Sequence, residues 1–169
     1  MFVELVEVAL LCLFPVLVIT AGLFDVTSFT IPNWISLALV GLFVPAALAG
    51  HIGWHGFAMA FGVGAVALAV AIFMFAMNWI GGGDAKLLAA AALWVGWPHA
   101  LEFLVITALA GGLLALTLIG IRSGWVRRYA ASGPGWVGRL ATPDGPAPYG
   151  VAIAIGALVV FPHSALMGG

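Results

Sequence analysis

Six apolar runs, separated by short polar or glycine-containing breaks, organise the chain: Leu5–Phe24, Trp34–Gly50, Gly56–Trp79, Ala85–Trp97, Ala100–Ile121 and Tyr149–Leu166. A helix needs about 20 mostly apolar residues to cross the hydrocarbon of a bilayer. Five runs are near that length. The fourth reaches only about 20 Å at 1.5 Å per residue, against a core of about 30 Å. It begins at Gly81-Gly82-Gly83-Asp84. That stretch is therefore expected to dip below the membrane surface as non-helical backbone, which is tolerated there only inside protein or along a wet cavity. The predicted fold is all-α: a polytopic membrane bundle of six transmembrane helices, the fourth short. It forms one integral-membrane domain over residues 1–169, with a cytoplasmic loop at 122–148.

Composition agrees with this patterning. The chain is 64% hydrophobic and 7% charged, with a mean hydropathy of +1.24. Soluble domains are about 45–50% apolar and about 25% charged. A net charge of −1 argues against a nucleic-acid partner. The single cysteine, Cys12, can form neither an internal disulfide nor a Cys-rich zinc site. Met1-Phe2-Val3-Glu4 lacks a basic n-region, so the first run is expected to stay as a spanning helix rather than be cleaved. Trp34, Trp54, Trp79, Trp97 and Trp125 fall at run ends, where amphipathic rings favour the headgroup level. Small residues at Ala58, Gly62, Ala65 and Ala69, with Gly111 and Gly112, suit close helix packing.

Four of the five basic residues (Arg122, Arg127, Arg128 and Arg139) lie in the loop Arg122–Pro148. The positive-inside rule puts this loop in the cytoplasm. Its Gly, Pro and Ser content predicts an irregular connection, with Asp144 as a turn residue. Counting crossings back from the loop brings Asp25, at the end of the first helix, and Asp84 to the cytoplasmic face. The N- and C-termini then lie outside, as a multi-pass protein of the cell's inner (plasma) membrane would have them.

Those two acids are the chain's candidate chemistry. Carboxylates against such apolar segments are costly and mark function by default. Two carboxylates a few ångströms apart cannot both ionise easily, so one keeps a proton. The pair can then activate a water by general acid–base catalysis, without a covalent intermediate. Gly81, Gly82 and Gly83 would let a substrate backbone approach closely. Pro32 would keep the exit from the first helix extended, and Asn33 would cap the second helix. Lys86 would point to another face than Asp84 and snorkel to the interface. A lone Asp at a helix end is usually a cap; two acids on one face beside an anomalously short helix argue for more. A small proton-coupled transporter with the same acids as a relay, or an assembly subunit without chemistry, remains open on these residues alone.

Three stretches resemble a known family. Gly81-Gly82-Gly83-Asp84-Ala85-Lys86-Leu87 is similar to the Gly-x-Gly-Asp-x-Lys-Leu segment of the prepilin peptidases, membrane aspartic proteases that process type IV and Flp-type pilin precursors. Asp25 followed by Ile31-Pro32-Asn33 resembles that family's other catalytic region, and Pro148-Tyr149-Gly150-Val151-Ala152-Ile153-Ala154 its last-helix motif. The resemblance implies that Asp25 and Asp84 are the catalytic pair. It implies a pilin precursor as substrate, cut at the cytoplasmic face so that a short positively charged leader is released. The apolar segment after the cut would stay in the membrane. Larger members carry an N-terminal cytoplasmic region with paired cysteines and also methylate the new N-terminus. This chain is expected to be the short, Tad/Flp-associated form without methyl transfer. Related archaeal preflagellin peptidases leave that substrate open.

No cofactor or metal is expected. His51, His55, His99 and His163 fall at predicted outer helix ends, with Glu102 three residues beyond His99, and read as interfacial polar ends rather than metal ligands. Asn78 is close in sequence to the Gly turn and would bond there or face the interface. Partners are limited to the precursor and the lipid bilayer, with the oligomeric state open.

Overall fold

The computed structural model describes residues 2–123, 127, 133–143 and 145–167. Each apolar run gives a helix: α1 (Phe2–Ser28), α2 (Asn33–Ala49), α3 (Gly53–Ala76), α4 (Gly82–Val95), α5 (Ala100–Arg122) and, after a short α6 (Gly135–Leu140), α7 (Tyr149–Val160), which ends in the 3-10 turn Phe161–His163. Among the described residues there is no strand. The protein is an all-α, polytopic helix bundle. Three helices are long and apolar enough to cross a bilayer: Glu4–Ser28 of α1, Gly53–Ala76 and Ala100–Arg122. The second and last apolar helices, Asn33–Ala49 and Tyr149–His163, are shorter; the former is as long as its run and only the latter falls short of it.

The short fourth helix is the centre of the bundle. Every residue of α4 from Leu87 to Val95 is buried, and α2, α3 and α7 pack around it. A helix apolar on all sides belongs inside protein. The run Ala89–Ala92 makes it thin, so three neighbours approach it together. Enclosure by protein is also why α4 need not match the bilayer thickness.

Of the glycines the sequence named for close packing, only Gly111 lies at a close approach, and Gly64 and Gly22 add two that it did not name. A Cβ on Gly62 or Gly112 would meet nothing within 4 Å. On Gly64 it would lie 3.2 Å from Leu93 Cβ, so this is where α3 rests on α4. On Gly111 it would meet Ala152 and Tyr149 of α7, and on Gly22 it would meet Ala154, where α1 meets α7. At the C-terminal end of α4, Trp94 stacks on Phe14 at 5.0 Å and meets Phe43 edge-on at 5.9 Å. Its indole N–H donates to the Leu39 carbonyl at 2.8 Å, so the buried ring keeps a polar partner. This cluster closes the end of the bundle remote from the first turn of α4.

Within the loop after α5, whose composition predicts an irregular connection, Gly135–Leu140 is helical. Arg122 donates to the carbonyls of Leu140 and Pro146, both at 3.0 Å, folding the segment that carries α6 back onto the end of α5. Arg139 donates to the Thr27 carbonyl in the last turn of α1. Cations favour the carbonyl end of a helix. Asp144, Trp125 and Arg128 lie outside the described residues. Trp34, Trp54, Trp79 and Trp97 are all exposed at helix ends, as expected of interfacial rings.

Candidate active site

Helix α1 runs one turn past its predicted end at Phe24, so Asp25 is a helical residue of the last turn. The hydroxyls of Thr27 and Ser28 bond back to the carbonyls of Leu23 and Phe24, both at 2.6 Å, and use up acceptors at the helix end. Phe29 then stops the helix. Its φ of 55° is left-handed, a conformation costing a non-glycine residue about 1–2 kcal/mol, and its N–H still reaches the Asp25 carbonyl at 2.8 Å. The chain reverses through Thr30 and Ile31 into α2. Pro32, extended at φ −61° and ψ 136°, is the N-cap there. Asn33 is therefore the first helical residue and makes no cap bond, contrary to the sequence expectation. Its side-chain oxygen instead accepts from Lys86 Nζ at 2.8 Å, tying α2 to α4. Lys86 is exposed, as a snorkelling side chain would be, but the hydrogen bond ties its head to Asn33.

Asp84 is reached differently. The Gly-rich stretch was expected to be non-helical, yet α4 already begins at Gly82 and only Gly81 stands outside it. Asp84 lies in the first turn, and its Oδ2 accepts the Gly81 N–H at 3.2 Å. Free N–H groups and the helix dipole both favour an acid there. The neighbouring glycines have close neighbours within the chain. A Cβ on Gly83 would lie 3.1 Å from Ile31 Cβ, and one on Gly82 would lie 3.4 Å from the Phe75 ring. Without a side chain at Gly83 the first turn of α4 lies directly on the turn that follows Asp25, and without one at Gly82 it lies against α3.

Both carboxylates are buried, with Asp25 5% and Asp84 7% exposed. They lie within electrostatic reach of one another. A third element reaches the pair: the Gly150 N–H, at the start of α7, donates to Asp25 Oδ2 at 2.6 Å. No side chain fits at this position, because a Cβ would lie 2.8 Å from both Asp25 Oδ2 and Ile31 Cδ1. Asp84 Oδ1 is buried and has no partner among the described residues. A cavity of about 270 Å³ opens onto the pair, lined by Asp25, Phe29–Ile31, Asn33 and Gly81–Asp84.

Of the residues singled out in the sequence, Asp25, Asp84, Gly81, Gly82, Gly83 and Asn33 line this one cavity. Lys86 adjoins it through Asn33, and Pro32 shapes the turn above it. Gly150, which donates to Asp25, is the position at this site that residue-level reasoning missed. A Pro-Tyr-Gly ahead of an apolar run signals a helix start, but nothing in it tells where the freed N–H points. Asn78 takes a left-handed turn (φ 59°) after α3 and is exposed. At the remote end, His99 pairs with Glu102 at 3.2 Å and its ring centre lies 6.0 Å from that of His163. No group of three metal-ligating side chains forms among the described residues. Cys12 is exposed on α1.

Two buried acids at one cavity, each held by a backbone N–H, can hold a proton between them and orient a small nucleophile there. A family model described as the type IV leader peptidase family matches residues 12–116, which include both acids and the Gly-rich segment. No curated protein and no solved structure matches the chain. The chain belongs to the type IV leader peptidase family, and its activity is of that general, membrane-embedded peptidase kind.

Proposed function

We propose that this family member is an aspartic endopeptidase that removes the leader from type IV or Flp-type pilin precursors, with Asp25 and Asp84 as its catalytic pair. The observation that carries this reading is the burial of both acids at one cavity, with Asp25 held by the Gly150 N–H and Asp84 by the Gly81 N–H. In the proposed reaction, water sits between the carboxylates. The ionised one takes a proton as the water oxygen attacks the scissile carbonyl carbon, and the protonated one donates to the carbonyl oxygen. As the tetrahedral diol collapses, the first carboxyl gives its proton to the departing nitrogen and the second recovers one from the diol. The C–N bond breaks, leaving a carboxylate on the leader and an amine on the apolar product. Atoms and protons balance, and no metal or cofactor takes part.

The proposed setting is the inner membrane. The six helices of the apolar runs cross, both termini face outward, and the acids and the Arg-bearing loop face the cytoplasm. A positively charged leader would meet the site from that side, as expected for the short, Flp-associated form. The test is leader release from a pilin precursor by purified protein in detergent. Wild type is expected to cut, and Asp25→Asn and Asp84→Asn to be inert while folded. Normal cleavage by either variant would sink the assignment.

A further inference from the structure

A second cavity, about 550 Å³, begins where the acid cavity ends, and Asn33 lines both. It is a groove floored by α4 and walled by α2 and α3. Each helix presents the same register, positions i, i+3, i+4 and i+7: Asn33 to Val40 on α2, Phe61 to Leu68 on α3, and Lys86 to Leu93 on α4. That register is one face of a helix, so the groove runs along the bundle for about 10 Å, two turns. It closes at the remote end, where Phe43 contacts Phe57 at 6.0 Å and Phe61 at 5.7 Å. Midway along it the positions facing the gap are small (Gly64, Ala65, Ala89 and Ala90).

We infer that this groove holds the first turns of the apolar segment that follows the scissile bond in the precursor, an inference that rests on the peptidase reading above. The polarity along it matches such a chain. Its polar side chains, Asn33, Ser36 and Lys86, come from the first turns of α2 and α4, beside the acid cavity, and the rest is apolar. A substrate whose polar peptide lies at the carboxylates and whose next residues form an apolar helix would pass Asn33 and enter the groove without reversing. Lys86 uses one of its three donors on Asn33, and the others can meet substrate carbonyls at the crossing. A lipid acyl chain would also suit the apolar part. It would gain nothing from the groove's continuity with the acid cavity, and that continuity decides for the peptide. The groove then explains how a site with little side-chain surface of its own selects a membrane-anchored substrate.

Two measurements test this. Ala65 is exposed on the α3 wall, and Ala65→Trp would fill the groove without touching the acids; Val40→Trp does the same from α2. Each is assayed on a full-length pilin precursor and on a short peptide ending a few residues after the scissile bond. The expected result is a KM for the precursor raised about tenfold, with kcat/KM for the peptide within about twofold of wild type. Unchanged precursor kinetics, or equal losses on both substrates in both variants, overturns the inference. Independently, a photo-crosslinking amino acid replaces Leu37 in the Asp84→Asn background. It should capture the precursor through its apolar segment, and capture of lipid alone overturns the inference. Crosslinking needs no cleavage, so an inert wild type that still crosslinks removes the peptidase reading and keeps the docking site. Cleavage without crosslinking does the reverse.

Discussion

The backbone N–H of Gly150 donates to Asp25 Oδ2 at 2.6 Å, joining the first turn of α7 to the last turn of α1. The two residues are 125 positions apart. This bond sets where the Asp25 carboxylate lies relative to Asp84, and it exists only because residue 150 has no side chain. Gly150→Ala would set a Cβ 2.8 Å from the carboxylate oxygen, so α7 or Asp25 must shift. A displacement of about 1 Å at a reacting group can cost about a hundredfold in rate. A loss of that order in kcat is expected, with helical content by circular dichroism unchanged. Wild-type kinetics in this variant would mean that Gly150 has no part in positioning the pair.

The acids themselves should prove dispensable for folding and essential for turnover. Asn keeps an acceptor oxygen for the Gly81 or Gly150 N–H and removes a buried ionisable group, whose desolvation is costly. Asp25→Asn and Asp84→Asn are each expected to lower leader release by about a thousandfold or more, with a melting midpoint no lower than wild type. A midpoint that fell sharply in both would assign the acids a structural role instead.

Lys86 and Asn33 should behave as one unit. Their hydrogen bond spans α4 and α2 at an exposed site, where such a contact contributes about 0.5–1.5 kcal/mol. Asn33→Ala and Lys86→Met are expected each to destabilise by that amount, and the double variant by no more than either alone. Additive losses in a double-mutant cycle would show that the pair is not coupled.

Two glycines two residues apart on α3 should respond oppositely. Gly64→Val would push into Leu93 of α4 and cost about 1–3 kcal/mol by overpacking. Gly62→Ala meets open space and should leave the protein unchanged or slightly stabilise its helix, since alanine outranks glycine there by about 1 kcal/mol. Thermal melts in one detergent separate them, and equal midpoints would contradict the α3–α4 contact.

The helices and the identity of the two acids were legible in the linear pattern. Apolar runs must be helical in a bilayer because every backbone polar group needs an internal partner. Asp25 and Asp84 stood out because almost nothing else in those runs is charged. The boundaries were less legible. Hydropathy does not register that Asp25 still belongs to α1, or that Gly82 and Gly83 already belong to α4, because side-chain polarity changes before the backbone hydrogen bonding does.

Local sequence therefore determined which segments are helical and which residues are the candidates for chemistry, since both follow from solvation of side chains and backbone one segment at a time. The partner of each group was decided only in three dimensions. That Asn33 takes Lys86 rather than a helix cap, that Gly64 and not Gly62 is a packing point, and that Gly150 reaches across to Asp25 all depend on how the helices rotate and approach one another. Those rotations minimise the packing energy of the whole bundle, a quantity no single stretch of the chain contains.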